Sequence, residues 1–164
     1  HIDGSSTIRI LHYPPYSGEI KKDQMRINEH TDYGSITLLW RFDDVPGLQV
    51  FDRGKEEWMD VPVVENSIVL NVGDMLQRWT NDLLKSTPHR VINTEMTRSR
   101  YSMPYFVDPG RDVIIDNLTD QTDKYPPISA SEYLKWRLAQ SYTDNKYIEN
   151  EDVAAEGSKY ITNY

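Results

Sequence analysis

His30 and Asp32 stand two positions apart in the segment Glu29–Gly34, and their side chains could bind one metal ion. On an extended chain, residues two apart point to the same face. An imidazole and a carboxylate placed in this way have backbones roughly 6–7 Å apart, so both can reach one cation. The segment Ser35–Trp40 is apolar and β-branched, which favours a strand that carries both residues and continues to Trp40. Most such pairs are surface residues or a histidine bonded to its neighbour, so the prediction needs a third ligand.

The candidate third ligand is His89, which follows Pro88 and begins an apolar segment with the pattern of a strand. Two histidines and one carboxylate on one side of a metal are the donor set of non-haem Fe(II) sites, and they leave other coordination positions open. His89 lies 59 residues after His30, so only the fold can bring the two together. The alternative is a buried histidine that hydrogen-bonds to the backbone.

Arg100 and Ser102 form a second candidate group. If Arg100–Val107 is a strand, both side chains point to one face and Tyr101 points to the other. A guanidinium beside a hydroxyl suits a carboxylate, since each charge-assisted hydrogen bond contributes about 1.5–3 kcal/mol. The same alternation places Phe106 on the face of Arg100, either lining a substrate cavity or within the core. The alternative for Arg100 is an exposed arginine on a strand edge.

The composition predicts one soluble globular domain. The chain has 164 residues, of which 38% are hydrophobic and 27% charged, enough for a core of its own. The net charge of −8 argues against a nucleic-acid partner, and no apolar run approaches the roughly 18 residues of a membrane helix. The absence of cysteine excludes disulfides and thiolate metal sites and fits a reducing compartment. We therefore expect a cytoplasmic protein without a nucleic-acid or membrane partner, and the sequence leaves its oligomeric state open.

Short strand patterns recur about every ten residues. Asp43–Gly47 is a turn signal, and a hairpin is expected between Leu48–Phe51 and Glu57–Val61. Ser67–Val72 is apolar on both faces, which predicts a buried strand. Further strands are expected at Thr7–Tyr13, Ser86–Ile92 and Arg100–Val107, with a helical turn within Met75–Leu84. Many short strands separated by turns indicate a sandwich or barrel.

Only the end of the chain has a helical pattern. The segment Ser129–Glu132 fits a capping box, in which a serine and a glutamate three positions later bind each other's main-chain N–H. Leu134 and Leu138 then give part of an apolar stripe. We expect one domain over residues 1–142, and a polar tail or a helix packed on that domain over residues 143–164.

Taken together and in order, His30-Thr31-Asp32, His89 and Arg100-Tyr101-Ser102 resemble the His-x-Asp…His…Arg-x-Ser signature of the Fe(II)/2-oxoglutarate dioxygenases. The branch they resemble contains isopenicillin N synthase and the plant flavonoid, gibberellin and ethylene-forming oxidases. The similarity runs from about Arg9 to about Leu138. It includes blocks around these motifs, namely Tyr33–Leu39, Gly47–Val50, Asn71–Asp74, Thr80–Asn81, Lys85–Val91 and Tyr125–Pro127.

The resemblance implies a mainly β fold, the double-stranded β-helix or jelly roll, with a C-terminal helix. It also implies that this chain is the catalytic C-terminal region of a longer protein and lacks the N-terminal helical region of these enzymes. His30, Asp32 and His89 would be the catalytic residues that hold Fe(II).

The resemblance further implies which residues bind the cosubstrate. Arg100 and Ser102 would bind the distal carboxylate of 2-oxoglutarate. Tyr13 lies where the family has a tyrosine that contacts the cosubstrate, although plant members often have Asn at the place of Leu11. The candidate residues for binding the substrate that is oxidised (the prime substrate) are Phe106 and Asn28. Asn28 lies two positions before His30, so on a strand both side chains would point to the same face.

The function implied is a non-haem Fe(II) oxygenase that couples oxidative decarboxylation of 2-oxoglutarate to hydroxylation or desaturation of a small organic substrate. Its cofactors would be Fe(II), 2-oxoglutarate and dioxygen, with ascorbate as an accessory. One alternative is an oxidase of the isopenicillin N synthase type, which uses the arginine and serine to hold its own substrate. Another is a catalytically inactive jelly-roll binding protein.

Overall fold

Strand-forming residues dominate the chain and give antiparallel sheets. The structure is a computed structural model that describes residues 1, 3–21, 24–122 and 124–141. Its strands are Thr7–Ile8 (β1), Leu11–Tyr13 (β2), Ile27–His30 (β3), Ile36–Arg41 (β4), Leu48–Asp52 (β5), Glu57–Asp60 (β6), Ile68–Val72 (β7), His89–Val91 (β8), Arg100–Val107 (β9), Ile114–Ile115 (β10) and Ile128–Ser129 (β11). Its helices are Asp74–Trp79 (α1) and Ala130–Ser141 (α2).

The first sheet is built around β9. Strand β4 pairs with one edge of β9 and in turn with β7, while β1 and β2 pair one after the other with the second edge. The strand predicted over Thr7–Tyr13 is interrupted at Arg9, whose main-chain N–H donates to the carbonyl of Pro104 over 3.0 Å. Because proline has no N–H, the reciprocal ladder bond cannot form there.

The second sheet has the order β3-β8-β5-β6. The predicted hairpin is confirmed as β5 and β6, with Phe51 opposite Trp58. Strand β8 lies between β3 and β5, and its first residue, His89, is opposite His30. The two larger sheets, both antiparallel, confirm the predicted jelly roll, and β10 and β11 form a separate two-stranded sheet. The second sheet also brings two histidines that are distant in sequence into one register pair.

The segment Thr31–Ser35 carries the chain from the second sheet to the first. Strand β3 ends at His30, and β4 begins at Ile36 in the other sheet. The prediction that one strand carries both His30 and Asp32 is therefore wrong. Asp32 lies in the connection after the strand, and its position depends on contacts with other parts of the chain.

The start of α1 supplies those contacts. The main-chain N–H of Gly73 donates to the carbonyl of Ser35 over 2.8 Å, and that of Asp74 donates to the carbonyl of Asp32 over 2.8 Å. Gly73 approaches the carbonyl of Gly34 so closely that a Cβ atom on it would collide with that group. These contacts join residues about 40 positions apart, so a local sequence pattern does not contain them.

Strand β7 is less buried than its apolar sequence predicts. Among the described residues it pairs with β4 only, and Ile68 and Leu70 are 48% and 57% exposed. The prediction of burial on both faces is wrong, because the side chains of this strand alternate and those of Ile68 and Leu70 are exposed on one face within the described structure.

Helix α2 begins at the predicted capping box. The main-chain N–H of Glu132 donates to the hydroxyl of Ser129, and the Glu132 carboxylate accepts from the N–H of Ser129, both over 3.3 Å. The helix buries Tyr133 and Trp136, whereas Leu138 of the predicted stripe is 38% exposed. These helix residues pack in one core cluster with α1, β10 and β11 through Met75, Ile115, Ile128 and Ala130.

The predicted tail over residues 143–164 lies outside the described residues. Within the described part of the chain, no helix has the length and apolar character that crossing a membrane requires.

Candidate metal and cosubstrate site

His30, Asp32 and His89 meet between the two sheets. Each offers one ligand atom, and these atoms all lie within 4.8 Å of one another. Oδ1 of Asp32 is 3.7 Å from Nε2 of His89, and the two imidazole centroids are 4.3 Å apart. The three residues that the sequence singles out are thus brought together by the end of β3, the start of β8 and the crossing segment.

Both imidazoles are held by main-chain carbonyls at the nitrogen that faces away from this group. Nδ1 of His30 is 2.8 Å from the carbonyl oxygen of Asn28, and Nδ1 of His89 is 3.2 Å from that of Thr87. A carbonyl can only accept, so Nδ1 carries the proton in each neutral ring and Nε2 keeps its lone pair. Metal-binding histidines are fixed in this way.

The carboxylate of Asp32 is buried and oriented by an amide. Asp32 is 6% exposed, and Nδ2 of Asn71 donates to its Oδ2 over 3.2 Å. This bond leaves Oδ1 directed towards His89. Burial, and then the neighbouring His89, lowers the pKa of His30 below its ordinary value, which favours the neutral imidazole that metals bind.

Arg100 and Ser102 lie on one face of β9, as predicted, and each is 2% exposed. The guanidinium of Arg100 lies 4.9 Å over the ring of Tyr13, its register partner on β2. Among the described residues, the buried Nε and Nη1 atoms of Arg100 have no hydrogen-bond partner. A buried cation with unused donors is costly unless an anion completes it, so this site suits a carboxylate ligand.

A second arginine, Arg41, lies opposite Ser102 in the same sheet. Its guanidinium donates to the carbonyls of Val61 and Pro62, over 3.3 and 2.7 Å. Burial, and then the adjacent Arg100 cation, lowers the pKa of Arg41, while the Asp43 carboxylate opposes this shift. Two arginines therefore lie close together at this site, which the sequence-based reasoning did not foresee.

A cavity of about 360 Å³ opens beside the histidines and Asp32. Phe106, a candidate substrate residue, lines it, and the guanidinium of Arg9 lies 5.5 Å over its ring. Helix α2 forms another wall with Leu134 and Leu138. Asn28, the other candidate, is exposed and contributes its main-chain carbonyl to His30.

Three residues of the site escaped the sequence-based reasoning. Asn71 lies in a strand whose apolar neighbours hid it, and Arg41 ends a strand with no motif of its own. Asp108 follows β9 and lines the cavity. Burial, and then the charge of Asp32, raises the pKa of Asp108. The block Asn71–Asp74 could have indicated the first of these, since an amide within an apolar strand is uncommon.

Comparison with known proteins identifies the same family that the sequence motifs resemble. The sequence model of the 2OG-Fe(II) oxygenase superfamily matches residues 4–109. The 2-oxoglutarate-Fe(II) type oxidoreductase hxnY of Emericella nidulans is 41% identical over 145 residues, which cover 85% of this chain and 41% of that protein. The proline hydroxylase buaE of Petromyces alliaceus is 41% identical over 152 residues, which cover 84% and 47%.

Solved structures agree with this match. Full-length Neurospora crassa T7H, in a crystal structure with alpha-KG and thymine, matches with a TM-score of 0.77 and 40% identity, covering 85% of this chain and 45% of that one. The dioxygenase for auxin oxidation from rice matches with a TM-score of 0.75 and 26% identity, covering 85% and 48%. The chain spans less than half the length of each of these relatives. The resemblance seen in the sequence is confirmed, and the chain belongs to the 2OG-Fe(II) oxygenase superfamily.

Proposed function

We propose that this chain is the catalytic region of an Fe(II)- and 2-oxoglutarate-dependent oxygenase that hydroxylates a small organic molecule. One observation carries the proposal: His30, Asp32 and His89 present three ligand atoms within 4.8 Å of one another. Family membership alone would not support it, because a decayed member could keep the fold and lose the ligands.

The donor set fits Fe(II). It consists of two imidazole nitrogens and one carboxylate oxygen without a thiolate, and these ligands leave part of a metal's coordination sphere open. His30, Asp32 and His89 would hold the ion. When bound, Fe(II) and 2-oxoglutarate supply the activation of dioxygen, giving succinate, carbon dioxide and one oxygen atom for insertion into a substrate C–H bond.

Arg100 and Ser102 would bind the distal carboxylate of 2-oxoglutarate. Two buried nitrogen atoms of the guanidinium have no hydrogen-bond partner in the part of the chain that the structure describes, and Ser102 adds a hydroxyl on the same strand face. The ring face of Tyr13 lies under the guanidinium and attracts the cation, which favours this position of the side chain. Such a pre-oriented receptor selects a diacid of suitable length, since a shorter acid would leave the guanidinium uncompensated.

The prime substrate would occupy the cavity beside the triad. Its volume of about 360 Å³ suits a molecule with roughly the size of an amino acid or a heterocycle. Phe106 offers a ring face for stacking, and Arg9 and Asp108 add opposite charges to the lining. The relatives named above include a proline hydroxylase and an enzyme crystallised with thymine, which supports a small polar substrate.

The test is a succinate assay on the full chain loaded with Fe(II) under anaerobic conditions and then exposed to dioxygen. Succinate formation that requires 2-oxoglutarate, Fe(II) and dioxygen is the expected result, with faster release when a substrate is present. A matched Arg100→Met variant should retain the metal and lose this release at low 2-oxoglutarate concentration. Substrate oxidation without 2-oxoglutarate would instead identify an oxidase of the isopenicillin N synthase type. Absence of any turnover in the metal-loaded protein would favour a binding protein.

A further inference from the structure

We propose that Arg137 of the C-terminal helix is a positioning residue that holds the His30–Asp32 segment in its metal-binding geometry. It acts through Thr31 and Asp74. The inference rests on the metal site proposed above, and it assigns to helix α2 a role in metal affinity in addition to its role in the fold.

The side chains of Arg137, Thr31 and Asp74 each contact the other two. Nη2 of Arg137 is 2.7 Å from Oδ2 of Asp74 and donates to Oγ1 of Thr31 over 2.8 Å. The hydroxyl of Thr31 in turn donates to the same carboxylate oxygen over 3.1 Å. Thr31 is the residue between the two ligands His30 and Asp32, so this set fixes the centre of the ligand segment.

Asp74 connects this set to the main chain of the same segment. Its N–H donates to the carbonyl of Asp32 over 2.8 Å, while its carboxylate accepts from Thr31. The next residue, Met75, donates its N–H to the carbonyls of Tyr33 and Gly34, over 3.2 and 3.0 Å. Asp74 and Met75 therefore contact the ligand segment on both sides of Asp32, and the Asp74 side chain makes the contact on the Thr31 side.

Burial makes Arg137 important for the position of Asp74. The Asp74 side chain is 1% exposed and that of Arg137 is 15% exposed, and Thr31 is 8% exposed. A carboxylate in such a place needs an opposite charge, because its attraction to water has been lost. The guanidinium also lies 4.7 Å over the ring of Tyr33, which restricts the arginine to one orientation.

Helix α2 packs on the core through apolar side chains as well as through Arg137. Ala130, Tyr133 and Trp136 are buried in the core cluster shared with α1, and a change at Arg137 removes none of these side chains. Loss of the guanidinium therefore removes contacts with the ligand segment and leaves the apolar contacts of the helix in place. Measuring unfolding beside metal binding distinguishes positioning from a general effect on stability.

The experiment measures Mn(II) binding to the full chain by calorimetry, alongside thermal unfolding of the metal-free protein. The variants are Arg137→Met, Thr31→Val and the double variant, with Arg98→Met as the matched control. Arg98 is an exposed arginine whose contacts are with Glu95 and Asp44. Thr31→Val keeps the shape of the side chain and leaves the Arg137–Asp74 ion pair in place, so it tests the relay even if Arg137→Met folds poorly.

We expect the Mn(II) dissociation constant to rise at least tenfold in Arg137→Met and about fivefold or more in Thr31→Val, as for other groups that orient metal ligands. The double variant should lose no more than Arg137→Met, because the two residues act through one path. Wild-type affinity in either folded single variant, or losses that multiply in the double variant, would overturn the inference alone. A wild-type chain that binds no Mn(II) would overturn the proposed metal site as well.

Discussion

Asn71 donates a hydrogen bond from Nδ2 to Oδ2 of Asp32 over 3.2 Å, although the two residues are 39 positions apart. The bond crosses from β7 of the first sheet to the connection that follows β3. It orients the one carboxylate of the metal triad, so that the other carboxylate oxygen faces His89. The first sheet therefore determines the geometry of a ligand that follows the second.

Replacing Asn71 by Ala should weaken metal binding without removing a ligand. The amide fixes one oxygen of Asp32, and groups that orient metal ligands contribute roughly 10–100-fold in affinity. Calorimetric titration with Mn(II) measures this loss. Asn93→Ala is the control, since its amide bonds to the carbonyl of Gln24 on the surface. Equal losses in the two variants would count against the role given to Asn71.

Arg100→Met should abolish tight binding of 2-oxoglutarate and leave Mn(II) binding in place. Each charge-assisted bond contributes about 1.5–3 kcal/mol, so loss of a bidentate pair raises the dissociation constant by about 100-fold or more. Arg100→Lys should lie between the two, because lysine keeps the charge and loses the planar fork. Calorimetry with 2-oxoglutarate on the Mn(II)-loaded protein gives all three values. Unchanged affinity in Arg100→Met would place the cosubstrate elsewhere.

The sequence alone predicts the three metal-ligand candidates and the shared strand face of Arg100 and Ser102. His-x-Asp, the later histidine and the alternation of Arg100 with Ser102 are local patterns, and side-chain period follows from strand geometry alone. The capping box at Ser129 could also be predicted from the sequence, because it spans only four residues.

What could not be predicted depends on contacts between distant segments. The strand expected through Asp32 fails because α1 binds the main chain of the crossing segment. The partners Asn71 and Arg137 come from other elements. The amide of Asn71 within an apolar strand is the one local signal, and it does not show that the partner is Asp32. Arg41 gains its significance only from lying opposite Ser102 in the sheet.

Gly73→Ala should destabilise the fold and loosen the metal site together. A Cβ atom at this position would collide with the carbonyl of Gly34, and overpacking of this kind costs about 1–3 kcal/mol. Gly54→Ala is the control, since its Cβ would meet only the Asp52 carboxylate at 3.3 Å. Urea unfolding measures the free energy of unfolding of both. A smaller loss in Gly73→Ala than in Gly54→Ala would contradict this account of the crossing.

Ser129→Ala should lower the free energy of unfolding by about 0.5–2 kcal/mol at neutral pH, the usual contribution of such a helix cap. The Ser129 hydroxyl holds the pKa of Glu132 below its ordinary value. A carboxylate with a lowered folded-state pKa contributes stability above its unfolded pKa and loses it as the pH falls through the folded value. The difference between wild type and Glu132→Gln should therefore shrink below about pH 4. Urea unfolding across pH 3–7 measures it, and a difference that grows on acidification would contradict the prediction.

His30, Asp32 and His89 share a single metal ion in the proposed site. A crystal structure of the protein grown with Mn(II) and 2-oxoglutarate, with anomalous scattering used to locate the metal, shows whether they do. We expect one strong anomalous peak within bonding distance of His30, Asp32 and His89, and a carboxylate of 2-oxoglutarate on Arg100. A peak elsewhere, or a peak that lacks any one of the three side chains as a ligand, would rule out the proposed metal site.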